Sequence, residues 1–168
     1  ESIVQAVINQ LPTPDQLLQN NQSFDIVDGA AGFILTALPI VEAGYAELQA
    51  HVATCGEYLL NTAQKMNDGI GWHLEVSGPK PLGGFSHGAA GIAYALFRLA
   101  HQSKDQRYHQ AAIQALEYDR SLYCPCEGNW RDLREGQRPG EVETVDEHFI
   151  NAWCHGAPGL GSVSYTHL

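Results

Sequence analysis

A short pattern occurs three times in this chain and limits the folds open to it: a polar residue, Gly, Ala, a small residue, Gly and an apolar residue. The polar residue is Asp28 in the first copy, His87 in the second and His155 in the third. The copies are separated by 59 residues (28 to 87) and by 68 residues (87 to 155). Repeats of this length predict similar structural units that bury their apolar faces against one another. We therefore expect one scaffold unit used three times, with a different reactive group in each copy.

Two kinds of helix are predicted in each repeat. Residues 28–38 and 87–100 are apolar on every side, which is typical of buried helices. Residues 45–66 and 104–120 carry apolar side chains at intervals of three and four, which is typical of amphipathic helices. Buried helices enclosed by amphipathic ones predict an all-α fold, a partial α/α toroid with inner and outer layers. Its helix N-termini would gather at one end of the ring.

The segments between these helices are predicted to be loops and turns. A helix tail within residues 1–10 and a surface segment at residues 15–25 precede the first repeat. Pro39 and Gly44 predict a turn after the first buried helix. Clusters of Gly and Pro interrupt the later connections, with room for a short extended piece at residues 72–76.

Composition excludes several classes of function. The 168 residues are 44% hydrophobic and 17% charged, which is typical of one globular domain. Nine basic and 19 acidic residues give a net charge of −10, which argues against nucleic acid or an anionic membrane surface as the partner. No apolar run approaches the roughly 20 residues of a membrane span. No signal peptide is visible either, so we expect a cytoplasmic protein with four reduced cysteines.

The residues with reactive side chains lie at the starts of the repeats. Cys154 and His155 are adjacent, and thiolate and imidazole are good zinc ligands, although a catalytic zinc site needs about three protein ligands. A buried Cys beside a polar His is the simpler interpretation. His87 suits general acid–base chemistry near neutral pH, or it is a core or cap residue. Asp28 is interpreted as a helix N-cap, which leaves Asp25 free to orient His87.

Other motifs are less informative. Cys124-Pro125-Cys126 has a shorter spacing than zinc sites use and is interpreted as structural or incidental. The charged residues within 130–134 are expected in a packed loop that could contact a substrate. The chain has no phosphate-binding P-loop and no Gly-x-Ser-x-Gly nucleophile elbow.

Several of these motifs together resemble a known family. Gly84-Phe85-Ser86-His87-Gly88-Ala89-Ala90-Gly91-Ile92 and Trp153-Cys154-His155-Gly156-Ala157-Pro158-Gly159 are similar to the cyclase domain of lanthipeptide synthetases. The amino-acid sequences of these motifs are most similar to the class II LanM branch, in which a LanC-like cyclase follows a dehydratase domain. The stretches at residues 24–32 and 129–134 match further motifs of that branch, in the same order along the chain.

The resemblance implies a function and a set of roles. A central zinc would bind a Cys thiolate of a precursor peptide and lower its pKa. The thiolate would add to dehydroalanine or dehydrobutyrine and close a thioether ring. Cys154 would be a zinc ligand, His87 the acid–base residue, Asp25 its support, and His155 a substrate-binding residue that lines the site. The precursor peptide would be the partner, and a dehydratase domain is expected in the same parent chain.

The chain also departs from the family pattern. A downstream Cys-His-Gly motif that supplies the other two zinc ligands is absent, and Ile150 stands where the LanC branch has Arg. Residues 162–168 do not continue the helical pattern and are interpreted as a possible non-native tail. We therefore expect residues 1–161 to be a partial LanC-like cyclase domain that is inactive as an isolated fragment.

Two alternatives remain open at this point. A toroidal glycosidase would use paired carboxylates, for which Asp25, Asp28 and Asp132 are available. A non-catalytic LanC-like protein that binds peptides or thiols would keep the toroid and lack the complete zinc site.

Overall fold

A computed structural model describes residues 3–18, 23–74, 80–134, 148–159 and 161. Within these ranges six α-helices and one 3₁₀ turn, Ala46–Leu48, have both ends described. They are α1 (Ile3–Ile8), α2 (Pro14–Leu17), α3 (Ala30–Glu42), α4 (Gln49–Thr62), α5 (Ala89–Ser103) and α6 (Gln106–Ser121). None of the helices in these described ranges is long and apolar enough to cross a membrane.

The helices pack in two layers, which confirms the predicted all-α class. The inner helices α3 and α5 contact each other, while α4 packs on α3 and α6 packs on α5. The inner helices are densely buried; in α5 the buried residues include Ile92, Leu96 and Leu99. Along α6, buried residues recur at intervals of three and four between Tyr108 and Tyr118, as the amphipathic pattern predicts. Paired inner and outer helices of this kind are the units of an α/α toroid.

Two predicted helix boundaries were wrong. Helix α3 runs through Pro39 to Glu42 and is followed by Gly44 in the left-handed region (φ 103°). Pro lacks an N–H but has helical φ, so a single Pro near the end of a well-packed helix does not stop it. The first amphipathic helix, predicted over residues 45–66, ends at Thr62, because Ala63 has extended backbone (ψ 132°) and the indole of Trp72 donates to the carbonyl of Leu59 (2.9 Å).

The described residues contain five short strands that the sequence did not predict, and the first of them lies within the amphipathic helix predicted over residues 45–66. Strands β1 (Gln64–Lys65) and β2 (Ile70–Gly71) pair antiparallel. Strand β4 (Asn129–Asp132) pairs antiparallel with β3 (Tyr123–Cys124) on one side and with β5 (His148–Phe149) on the other. Strands of two to four residues are too short for an alternating pattern to show. The extended piece expected at residues 72–76 lies partly outside the described residues, and so do residues 162–168.

A buried carboxylate at the end of α6 holds the segment that leads into α5. Oδ1 of Asp119 accepts a hydrogen bond from the backbone N–H of Gly84 (2.7 Å), and the Tyr118 hydroxyl donates to the carbonyl of Pro81 (2.6 Å). Asp119 is only 2% exposed. Burial raises its pKa to about 6, against the opposing effects of the Gly84 N–H and the charge of Arg120. The outer helix thereby fixes the approach to the inner one.

Asp119 predicts a specific dependence of stability on pH. Its folded-state pKa of about 6 lies above the model-peptide value of 3.8, so between these pH values the folded chain retains a proton that the unfolded chain has released. The free energy of unfolding should therefore fall as the pH rises through this window, by up to about 3 kcal/mol. Asp119→Asn keeps an acceptor for Gly84 and removes the ionisation, so the decline should be lost. Urea unfolding of both chains from pH 4 to pH 7 measures this.

The matched control is Asp68→Asn, since Asp68 is an exposed aspartate. That variant should keep the same decline as the parent chain. An undiminished decline in Asp119→Asn would contradict the assignment to Asp119.

Candidate functional site

Three backbone segments lead into the repeated helices and meet at one end of the molecule. We call them the first, second and third entry loops, residues 23–29, 82–88 and 150–156. The N–H of Ile26 donates to the carbonyl of Ser86 (3.0 Å), which joins the first loop to the second. The N–H groups of Phe85 and Ser86 both donate to the carbonyl of Cys154 (3.1 Å each), which joins the second loop to the third. The helix starts are therefore gathered as the repeat predicts.

The second glycine of each copy is required by close packing against its own entry loop. A Cβ added at Gly32, Gly91 or Gly159 would lie 2.1, 1.8 or 2.5 Å from the carbonyl oxygen of the residue six positions earlier. Such contacts are far shorter than carbon and oxygen tolerate, so the backbone approach depends on glycine. The first glycines are less uniform. Gly29 and Gly88 share an extended backbone (φ −118° and −122°), whereas Gly156 has φ +79°.

His87 and Asp25 form a close pair between the second and first entry loops. Nδ1 of His87 lies 2.6 Å from Oδ2 of Asp25. The other oxygen of Asp25 accepts from the backbone N–H groups of Val27 (3.0 Å) and Asp28 (3.1 Å). The Asp25 side chain is 5% exposed and that of His87 is 40% exposed. A buried carboxylate thus holds an imidazole that is partly exposed to solvent.

Asp28 is not the N-cap of α3, which corrects the sequence interpretation. The cap residue is Gly29, without a side-chain capping bond. The first N–H groups of the helix instead donate to backbone carbonyls, Ala30 to Ser23 (2.9 Å) and Ala31 to Phe24 (3.1 Å). Asp28 is exposed.

The Asp28 carboxyl group interacts with its neighbour in the first entry loop. A hydrogen bond to Asp25 raises the pKa of Asp28, and partial burial and the negative charge of Asp25 raise it further, while His87 opposes them. The first loop therefore places two carboxyl groups beside His87.

The third entry loop presents Cys154 and encloses His155. Cys154 is a free, partly exposed thiol. His155 is 4% exposed, and its buried Nε2 has no hydrogen-bond partner within the described ranges. It packs under the second loop at Gly84, whose positive φ (+92°) and lack of a side chain leave room for the ring. A Cβ there would lie 2.6 Å from Nδ1 of His155. The adjacent Cys and His thus occupy different environments.

An ion pair at the C-terminal end of strand β4 lies close to Cys154 and His155. Nη2 of Arg134 lies 2.5 Å from Oδ2 of Asp132, and Nε of Arg134 donates to both carboxylate oxygens. Burial raises the pKa of Asp132, but the hydrogen bonds from Arg134 outweigh it and the net shift is downward. The pKa of Arg134 is raised, chiefly by Asp132 and also by Cys154. Asp132 is therefore held as a carboxylate.

Asn129, which is 4% exposed, fastens the third loop to strand β4. Its Oδ1 accepts from the N–H groups of Ala157 (3.0 Å) and Trp130 (2.9 Å). Its Nδ2 donates to Oδ1 of Asn151 (3.1 Å) and to the carbonyl of Ile150 (3.4 Å). Neither Asn129 nor Asp119 was given a role by the sequence. For Asp119 a signal was present in the sequence, because this polar residue lies on the apolar face of the amphipathic helix α6.

The described residues do not form a complete metal site. They contain no group of three or more His, Cys, Asp or Glu side chains that could hold a metal ion. The Cys154 thiol suits one ligand position, and a catalytic zinc requires about three from the protein. The prediction that all cysteines are reduced was wrong for Cys124 and Cys126, which form a disulfide. Cys55 and Cys154 are free.

Comparison with known proteins gives one match. The family model described as "Lanthionine synthetase C-like protein" matches residues 3–166. Searches of curated proteins and of solved structures found no significant match. The family match covers nearly the whole chain and agrees with the two-layered helical fold and the three gathered entry loops. The chain therefore belongs to the lanthionine synthetase C-like family, whose function is of the lanthionine cyclase type.

Proposed function

We propose that this chain carries part of the active site of a zinc-dependent peptide cyclase that forms lanthionine or methyllanthionine. The observation that carries the proposal is the His87–Asp25 pair, held at 2.6 Å in the first and second entry loops. The loop of Cys154 is hydrogen-bonded directly to the loop of His87. An oriented imidazole and a free thiol on adjoining loops are the groups that such chemistry requires.

In the proposed reaction a Cys thiol of the precursor peptide adds to dehydroalanine or dehydrobutyrine. A sulfur–carbon bond forms at the β-carbon, the thiol proton is removed, and a proton is delivered to the α-carbon. No group leaves, so the product is an isomer of the substrate. An acid–base residue that works near neutral pH serves both proton transfers.

The geometry of His87 suits this role. In the neutral tautomer that donates its Nδ1–H to Asp25, Nε2 carries the lone pair and accepts a proton. The Asp25 carboxylate stabilises the imidazolium that results. Because the two backbone N–H groups of the first entry loop hold the other carboxylate oxygen, the ring keeps its orientation as it changes charge.

Zinc, when bound, would lower the pKa of the substrate thiol, with Cys154 as one ligand. The further ligands lie outside the described residues, so we propose that this chain supplies only part of the metal site. His155 is proposed to line that site.

A toroidal glycosidase is less compatible with the geometry. Such enzymes require one protonated carboxylic acid and one free carboxylate. Asp25 is bound to His87, and Asp132 is bound to Arg134, which lowers its pKa. Asp132 is therefore held as a carboxylate. The pKa of Asp28 is raised, but Asp28 lies beside Asp25 in the same entry loop and interacts with it directly, so the two do not face each other across a cleft.

The main test is His87→Ala in the full-length gene product that contains this chain. Loss of an acid–base group should slow ring formation by about 10²–10⁴-fold while the zinc content stays unchanged. Ring formation does not change the mass, so a dehydrated precursor peptide is incubated with the enzyme and then alkylated at its remaining thiols. Mass spectrometry counts the alkyl groups. Full ring formation by His87→Ala would refute the assigned role.

His101→Ala is the matched control. His101 is an exposed histidine near the other end of the same helix, α5, and its loss should leave the rate of ring formation unchanged. A parent protein that binds the peptide but never closes a ring would favour a non-catalytic binding relative.

Asp25→Asn should slow ring formation by about 10- to 100-fold, because Asn cannot stabilise the imidazolium or fix the tautomer. Its Oδ1 still accepts the two N–H groups of the first entry loop, so the fold should be preserved. If Asp25 acts through His87, the double variant with His87→Ala should be no slower than His87→Ala alone. Additive losses in the double variant would show that Asp25 acts independently.

Cys154→Ala in the full-length product should lose zinc, since removal of one ligand from a site of about three greatly weakens binding. Metal analysis after dialysis measures this. Cys55→Ala, the same change at the other free cysteine, is the control and should retain zinc. The 168-residue chain by itself should neither retain zinc nor form rings. One equivalent of zinc retained by this chain would contradict the partial-site proposal.

A further inference from the structure

The disulfide between Cys124 and Cys126 is a reactive group that the proposed cyclase does not use. It closes across a single intervening residue, Pro125, at the tip of the β3–β4 hairpin, with Cα atoms 5.5 Å apart. That separation is within the range that disulfides adopt. The question is whether the bond holds the hairpin together or has a chemical role.

The bond contributes little as a structural constraint. In the chain-entropy account a cross-link stabilises more when it closes a longer loop, and this one spans a single intervening residue. The hairpin is secured without it. Tyr123 pairs with Trp130 across the strands, and their rings are 4.7 Å apart. The N–H of Arg131 also donates to the carbonyl of Leu122 (3.0 Å).

The two sulfurs differ in accessibility. Cys126 is exposed and Cys124 is only 3% exposed. Gly128, in the left-handed region (φ +61°), turns the chain away after Cys126 and has open space around it. Thiol–disulfide exchange requires a thiolate to reach one sulfur in line with the other, and exposed disulfides are the labile ones. An incoming thiolate can therefore reach Cys126, with Cys124 as the leaving group.

The contrast with Cys55 supports this assignment. Cys55 is fully buried in the core, and burial raises the pKa of its thiol to about 12. Cys55 is therefore inaccessible to other thiols, whereas the sulfur of Cys126 at the hairpin tip is exposed to solvent.

We propose that Cys124 and Cys126 form a thiol–disulfide exchange site for small thiols and cysteine-containing peptides. The thiolate of the first substrate attacks Sγ of Cys126, a mixed disulfide forms, and the bond to Cys124 breaks, leaving a thiolate that takes up a proton. A second substrate thiolate attacks the mixed disulfide and releases Cys126. Two thiols are oxidised to one disulfide, and the protein disulfide is reduced to a dithiol. The reverse reaction reduces a substrate disulfide.

The first test uses the full chain in buffers that contain glutathione and glutathione disulfide at different ratios. Samples are quenched with acid, alkylated and mapped by mass spectrometry. We expect the Cys124–Cys126 pair to pass from disulfide to dithiol as the ratio changes, while the chain stays folded. A pair that resists excess reduced glutathione until urea unfolds the chain would overturn the proposal, as would a pair that stays reduced in excess glutathione disulfide.

The second test separates the two sulfurs. With glutathione disulfide, Cys126 in Cys124→Ser should form a mixed disulfide at least about tenfold faster than Cys124 in Cys126→Ser, because access controls the rate. Equal rates would refute the assignment of Cys126 as the attacked sulfur. Cys55 is the internal reference and should remain unlabelled, and circular dichroism verifies folding. No dehydrated peptide is present, so the result is independent of the proposed cyclase activity.

Discussion

The carbonyl oxygen of Cys154 is the group on which the arrangement of the site depends. It accepts hydrogen bonds from two consecutive N–H groups of the second entry loop, Phe85 and Ser86. The carbonyl of Ser86 in turn accepts from Ile26 in the first loop. These few backbone bonds set the positions of three helix starts that are far apart in sequence. Without them His87 and Cys154 would be attached to separate elements with no fixed relation.

The loops can approach closely because glycines, which have no side chain, lie at the contacts. Gly84 leaves room for the ring of His155, and its N–H is held from below by Asp119. Asn129 holds the third loop as Asp119 holds the second. Its side chain donates to the carbonyl of Ile150 and accepts from the N–H of Ala157, on either side of the turn. Each of these polar side chains is buried and hydrogen-bonded, so each acts as a local scaffold and not as a reactive group.

The sequence predicted what depends on local periodicity. The 3.6-residue pattern identified the four long helices, and the thrice-repeated glycine motif identified the end of the molecule where their N-termini meet. It also suggested that Asp25 orients His87, but only by assigning Asp28 to the helix N-cap, a position that Gly29 occupies. The limits were non-local. Helix α3 passes Pro39 because packing outweighs a single lost hydrogen bond. The strands, at two to four residues, are too short for an alternating pattern of apolar and polar residues to be recognised.

The role of Asp119 and the disulfide of Cys124 with Cys126 could not be predicted from the sequence for a related reason. Burial of a carboxylate depends on which backbone groups surround it, and the partner of Asp119 lies 35 residues away. The oxidation state of a Cys-Pro-Cys stretch depends on the turn that it adopts. The expectation of reduced thiols rested on the small number of cysteines and on the cellular compartment. Neither of these describes the local backbone turn that brings two cysteines together.

Besides the side-chain contacts of His87 with Asp25 and of Ser86 with Cys154, the entry loops are joined by hydrogen bonds between main-chain atoms, and this has a consequence for how such a site diversifies. The residue that precedes the first glycine is Asp28, His87 or His155 in the three copies, and none of the backbone bonds between the loops involves its side chain. A duplicated unit can therefore change the chemistry of this side chain by a single substitution. The scaffold separates the task of placing a side chain from the choice of its chemistry.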